Sequence, residues 1–123
     1  MHILIVDDSK FMRRTVIKAL DEIGSFSTVE AGNGEEALAK LKEEDKVDLM
    51  ISDWNMPVMN GLELVTRVRK QSDMTIFMIT TVSAKEDVKD ALRAGVSNYI
   101  LKPLETAELR NKLQLHFPEL ELG

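Results

Sequence analysis

Five short apolar runs alternate with five segments of helical period along the 123 residues, and this alternation restricts the fold more than any other feature of the chain. Strands separated by helices pair in parallel, and a parallel sheet is covered on both faces, so its strands read as nearly continuous apolar runs. The runs lie at Ile3 to Val6, Ser27 to Ala31, Val47 to Ser52, Thr75 to Ile79 and Ser97 to Leu101. Between the first two, Met12, Val16, Ala19, Leu20 and Ile23 recur at helical spacing, with Ser9 placed to cap the helix and Gly24 to end it. Similar patterns predict helices near Glu35 to Glu43, Gly61 to Lys70, Lys85 to Ala94 and Glu105 to Phe117. Asn33-Gly34 is a hairpin dipeptide, but the segment after it has helical period, so a strand-to-helix loop is expected there. The fold class is α/β: a (βα)5 doubly wound, five-stranded parallel sheet in one domain spanning 1–123.

A chain 44% hydrophobic and of this length supports one packed core. The net charge of −5 argues against a broad nucleic-acid footprint, which needs clustered Lys and Arg. Without cysteine there is neither a disulfide framework nor a thiolate metal site. Met1 to Asp8 lacks the basic flank and cleavage site of a signal peptide, and no apolar run approaches the roughly 20 residues needed to span a bilayer. A cytoplasmic, monomeric protein without nucleic-acid or membrane partners is the expectation. The tail after Pro118 reads as a frayed terminus with no output domain following. His2 and His116 lack ligand spacing, and the seven methionines read as core filler.

In an open α/β sheet, ligands bind beyond the carboxyl ends of the strands where the strand order reverses. Asp7 and Asp8 close the first run and Asp53 closes the third, and the order 2-1-3-4-5 makes those strands neighbours at the switch point. Two unit charges about 4 Å apart repel by roughly 4 kcal/mol at an effective dielectric of 20, so three carboxylates need a counter-charge. Mg²⁺ suits few carboxylates, because it retains waters and meets phosphate oxygens. One aspartate at a strand end is most simply a cap, Thr80 alone an ordinary strand-end residue, and Lys102 alone a solvated charge. Their coincidence at the ends of four different strands weakens that reading. Asp53 is then the candidate nucleophile for an aspartyl phosphate, with the metal, Lys102 and Thr80 offsetting charge on the phosphoryl oxygens.

Val6-Asp7-Asp8-Ser9, Asp53-Trp54-Asn55-Met56-Pro57 with Gly61, Ile79-Thr80 and Tyr99-Ile100-Leu101-Lys102-Pro103 together resemble a CheY-type receiver domain, of flavodoxin-like fold, from Ile3 to about Leu115. The resemblance implies that Asp53 is the phosphoacceptor, and that Asp8, Asp53 and the Asn55 carbonyl ligate Mg²⁺ with Asp7 supporting through water. It further implies that Thr80 and Lys102 bind the phosphoryl group, that Lys102-Pro103 is cis, and that Thr80 and Tyr99 form the switch. The segments 8–14 and 52–57 look like the chemotaxis branch. There the partners are a sensor histidine kinase, a downstream target such as the flagellar motor switch, and a phosphatase. Val82 departs from the enteric pattern, which has Glu there, so the phosphoryl lifetime is not carried over.

The readout surface implied is the fourth helix, fifth strand and fifth helix, including Lys85, Lys89, Arg93, Tyr99 and Glu105. For Tyr99 the bland alternative is a half-buried strand tyrosine that does not move. Three alternatives stand beside the chemotaxis reading: a stand-alone phosphorelay intermediate or adaptor, an Mg²⁺-dependent aspartyl-phosphate phosphohydrolase, and a degenerate receiver acting as a constitutive binding module. Asn55 argues against the hydrolase, since haloacid-dehalogenase enzymes carry a second Asp there as general acid. A signalling protein rather than a turnover enzyme is therefore expected.

Overall fold

A computed structural model describes residues 1–122. The order is β1 (His2–Val6), α1 (Lys10–Ile23), β2 (Ser27–Ala31), α2 (Gly34–Glu43), β3 (Leu49–Ser52), α3 (Gly61–Arg69), β4 (Thr75–Thr80), α4 (Lys85–Ala94), β5 (Asn98–Leu101) and α5 (Thr106–His116). The strands form one parallel sheet in the order β2-β1-β3-β4-β5, as expected from the sequence.

The strand period of two sorts alternate side chains to opposite faces. Ile3, Ile5, Leu49, Ile51, Phe77, Ile79 and Ile100 pack with Val16, Leu20 and Ile23 of α1 and Leu109 and Leu113 of α5. Leu4, Val6, Met50, Ile76 and Met78 pack on the other face with Ala37, Leu64, Val65, Val68 and Ala91 from α2, α3 and α4. Burial on both faces is why these strands are almost wholly apolar. Phe77 is fully buried, and its truncation to alanine would cost about 3–5 kcal/mol. Met50, Met59 and Met78 are buried fillers of the second core.

Helix starts follow side-chain chemistry. Ser9, Asn33 and Asn60 each accept a backbone N–H from three residues ahead, at 3.2, 3.0 and 2.9 Å. Asn33-Gly34 thus opens α2 rather than turning a hairpin. Gly24 follows α1 as expected and donates its N–H to the Leu20 carbonyl, but with extended backbone rather than the left-handed cap common for glycine.

Several boundaries differ from expectation. β3 begins at Leu49 rather than Val47 and β5 at Asn98 rather than Ser97, while β4 extends through Thr80. Asp48 N–H still donates to the His2 carbonyl and Ser97 N–H to that of Ile76, so these residues join the hydrogen bonding without belonging to the strands. The tail corrects a further expectation. Leu122 packs against the first core, and Gln114 Nε2 donates to the Pro118 and Leu120 carbonyls at 3.2 and 3.3 Å, so 118–122 is tied down rather than frayed. Among the described residues, no helix is long and apolar enough to cross a membrane.

Candidate functional site

β1 and β3 are adjacent, and each ends in acid. Asp7 N–H donates to the Ala31 carbonyl and Asp53 N–H to the Val6 carbonyl, so the ladder fixes both backbones beyond the last strand residues. Carboxylate oxygens of Asp7, Asp8 and Asp53 all lie within 4.8 Å of one another. Asp8 is exposed while Asp7 and Asp53 are buried, so the cluster opens to solvent on one side.

Local bonds orient the acids. Asp7 Oδ1 accepts the Ser9 N–H at 2.9 Å, and Asp53 Oδ1 accepts the Trp54 N–H at 2.7 Å. Lys102, just past β5 and joined to Pro103 by a cis bond, places Nζ 3.1 Å from Asp53 Oδ2 and 3.4 Å from Asp7 Oδ2. Burial pushes the Asp7 carboxyl above its usual range, and the repulsion of Asp53 adds to this against the opposing Ser9 N–H and Lys102 charge. Burial alone would lower the Lys102 ammonium, but the hydrogen bond and charge of Asp53, with those of Asp7, outweigh it and hold the group above its ordinary value. The edge therefore carries excess negative charge that one ammonium does not neutralise. A set of clustered oxygen donors with one solvent-facing member suits a hard divalent cation such as Mg²⁺.

Thr80, fully buried at the end of β4, accepts the Val82 N–H on Oγ1 at 3.3 Å. The Val82 carbonyl in turn accepts the Tyr99 hydroxyl at 2.5 Å. Val82 thereby joins Thr80 to Tyr99, and burial with the charges of Asp87 and Asp53 raises the Tyr99 phenol above its ordinary value. Asn55 lies exposed in the β3–α3 loop.

Two features beside the site escaped sequence reasoning, and a third was only hinted at. Arg13, one turn into α1, donates from Nη1 to the Asp7 carbonyl at 2.6 Å and from Nε to Glu30 at 2.9 Å, bracing the Asp7-Asp8 peptide. An ordinary surface arginine in a helix gives no signal of this. Val58 has φ 72° at 70% exposure, a strained conformation for a β-branched residue. Gly61 is forced by proximity: a Cβ there would lie 2.2 Å from the Asp53 carbonyl oxygen. Its place in the motif hinted at a special position, though not at this contact.

A family model described as the response regulator receiver domain matches residues 3–114. The chain belongs to that family. The receiver is 47% identical over 117 residues to the chemotaxis protein CheY homolog of Campylobacter jejuni strain 81-176, covering 93% of this chain and 90% of the relative. It is 45% identical to chemotaxis protein CheY1 of Helicobacter pylori strain 26695 over 118 residues, 94% of this chain and 95% of that one. Among solved structures, chemotaxis protein CheY4 of Vibrio cholerae superposes with a TM-score of 0.84 at 36% identity, covering 93% of this receiver and 96% of that chain. A two-component response regulator from Clostridium difficile reaches 0.89 at 26% identity, covering 98% and 99%.

Proposed function

We propose that this receiver takes a phosphoryl group from a sensor histidine kinase onto Asp53 in an Mg²⁺-dependent step and signals through the surface of α4, β5 and α5 in chemotaxis. The observation carrying this reading is the Lys102 ammonium 3.1 Å from Asp53 Oδ2 within a three-carboxylate cluster. Asp8, Asp53 and the Asn55 carbonyl hold the metal, Asp7 supports it, and the bound Mg²⁺ supplies charge neutralisation for the phosphoryl oxygens. Asp53 Oδ attacks phosphorus, the donor's leaving group departs with the bonding pair, and Lys102 and Thr80 receive the oxygens of the new aspartyl phosphate. The role is that of a signalling protein without turnover of an external substrate.

Switching follows from the Thr80–Val82–Tyr99 chain. Phosphorylation adds roughly 1.5 to 2 negative charges and new acceptors, drawing the Thr80 hydroxyl inward and away from the Val82 N–H. That frees the loop on which the Tyr99 bond depends and changes the α4-facing surface. A target binds selectively only by its difference in affinity for the two forms. The chemotaxis assignment rests on the names and 47% identity of the relatives, and the flagellar motor switch is the target it favours.

Trp54 is half-buried and bonded to Asp53, which makes it the reporter. Its emission is expected to change as Mg²⁺ is titrated and again on adding acetyl phosphate, the second change disappearing in Asp53→Asn. A wild type indifferent to both additions would turn the reading to a constitutive binding module. For the pathway, a strain lacking the gene should lose directed spreading in soft agar and regain it with the wild type but not with Asp53→Asn. Normal spreading of the deletion strain would favour a phosphorelay or adaptor role.

A further inference from the structure

The opposite end of the sheet from Asp53 carries a cavity of about 530 Å³ where α2 and α3 end. Its apolar lining is Leu38, Leu41, Val47, Val68 and Met74. Four of these are only partly buried against the second core, which is therefore left unsealed between the helix ends. The volume falls in the range of sites that enclose small organic ligands, roughly 300–1,000 Å³.

Charge at the mouth is not random for a chain of net charge −5. Lys42, Arg67 and Lys70 all border the opening, all are exposed, and none of their side chains makes a hydrogen bond or ion pair among the described residues. Of the two acids there, Glu44 is occupied by His2 Nε2 at 2.6 Å, leaving Asp45 as the opposing charge. Lys42 and Arg67 lie in the last turns of α2 and α3, where they also complement the helix dipoles. Lys70, the C-cap of α3, shares that role, which by itself needs no apolar cleft between the helices.

We infer that this cavity is a second ligand site, remote from the phosphorylation centre, that takes a small soluble amphipathic anion: an aromatic or short-acyl body in the apolar cleft and a carboxylate or sulfonate at the Lys42, Arg67 and Lys70 mouth. A half-open cleft of about 530 Å³, apolar within and rimmed by three unpaired cations, favours a free molecule small enough to enter it over a membrane surface or a second copy of the chain. Nothing in this inference depends on phosphorylation, so it stands or falls separately from the proposed function.

The probes are 8-anilinonaphthalene-1-sulfonate and its uncharged relative N-phenyl-1-naphthylamine, which share an aromatic skeleton and differ in the anionic head. Each is titrated by its own emission into the folded full chain, with circular dichroism confirming cooperative unfolding. The sulfonate is expected to bind at one site and more tightly than the neutral probe. Lys42→Glu with Arg67→Glu should weaken it about tenfold, as reversal of two nearby charges allows, and leave the neutral probe unaffected. Leu41→Asp should weaken both probes, while Arg14→Glu on α1 should change neither. Equal affinity for the two probes, no response to the charge reversals, or binding at several equivalent sites would overturn the inference. So would a concentration-dependent dimer or sedimentation with anionic vesicles that the charge reversals abolish while sulfonate binding is absent.

Discussion

Lys102 Nζ lies 3.1 Å from Asp53 Oδ2, so the last strand's end delivers a cation onto the acid that closes the third. Both groups are largely buried, which makes the pair electrostatically stronger than a surface ion pair and costly to break from one side. Lys102→Ala should therefore fold with reduced stability and take up phosphate from acetyl phosphate roughly 10²-fold more slowly, the scale of losing one preorganised charge donor. A time course of intact mass on the two proteins checks this. Because the folded ammonium is held above its ordinary value of 10.5, its contribution to stability is fully present below that pH and is lost as pH rises through the folded value.

Asp7 has the opposite sign. Its carboxyl is raised above 3.8 in the fold, so the folded chain retains a proton that the unfolded chain has released, and stability declines as pH rises from 3.8 through the folded value. Asp7→Asn removes that decline. Its Tm should exceed the wild type's by more at pH 7 than at pH 4, while Mg²⁺ quenching of Trp54 weakens. Thermal melts at pH 4 and pH 7 read the effect, and equal Tm differences at both would sink the explanation.

Val58 holds φ at 72° with 70% of its surface exposed, so its strain is not repaid by burial of the side chain. Val58→Asn, a residue that tolerates this conformation, should raise the unfolding free energy by roughly 1 kcal/mol in urea denaturation. An unchanged or lower midpoint would show that the loop relaxes around valine.

Gly61→Ala tests the packing behind the acceptor. The added carbon would strike the Asp53 carbonyl oxygen at 2.2 Å and the Trp54 Cα at 2.9 Å, both backbone atoms that cannot rotate away. A loss of about 1–3 kcal/mol is expected, together with weaker Mg²⁺ binding, since the displaced peptide carries Asp53 itself. Mg²⁺ titration of the folded variant separates the two effects.

The fold was legible because its signal is periodic. Apolar runs such as Leu49 to Ile51 have no polar face, which requires cover on both sides, and Met12 to Ile23 repeat at the spacing of one helical face. The site was legible because acids, a hydroxyl and an ammonium fell at the ends of separate strands, and topology alone then gathers them. What escaped depends on reach across the fold. Arg13 finds the Asp7 carbonyl because α1 folds back over β1, and Leu122 returns to the core beneath α5; neither contact has a local pattern. The α2–α3 cavity is likewise a matter of how two helix ends splay.

Whether Asp53 is the phosphoryl acceptor is read by intact mass spectrometry after incubation with Mg²⁺ and acetyl phosphate. The wild type should gain the mass of one phosphoryl group, lose it over time and fail to gain it when the metal is chelated, and Asp53→Asn should gain none. An adduct of equal yield on Asp53→Asn, or none on a folded wild type that binds Mg²⁺, would contradict the account.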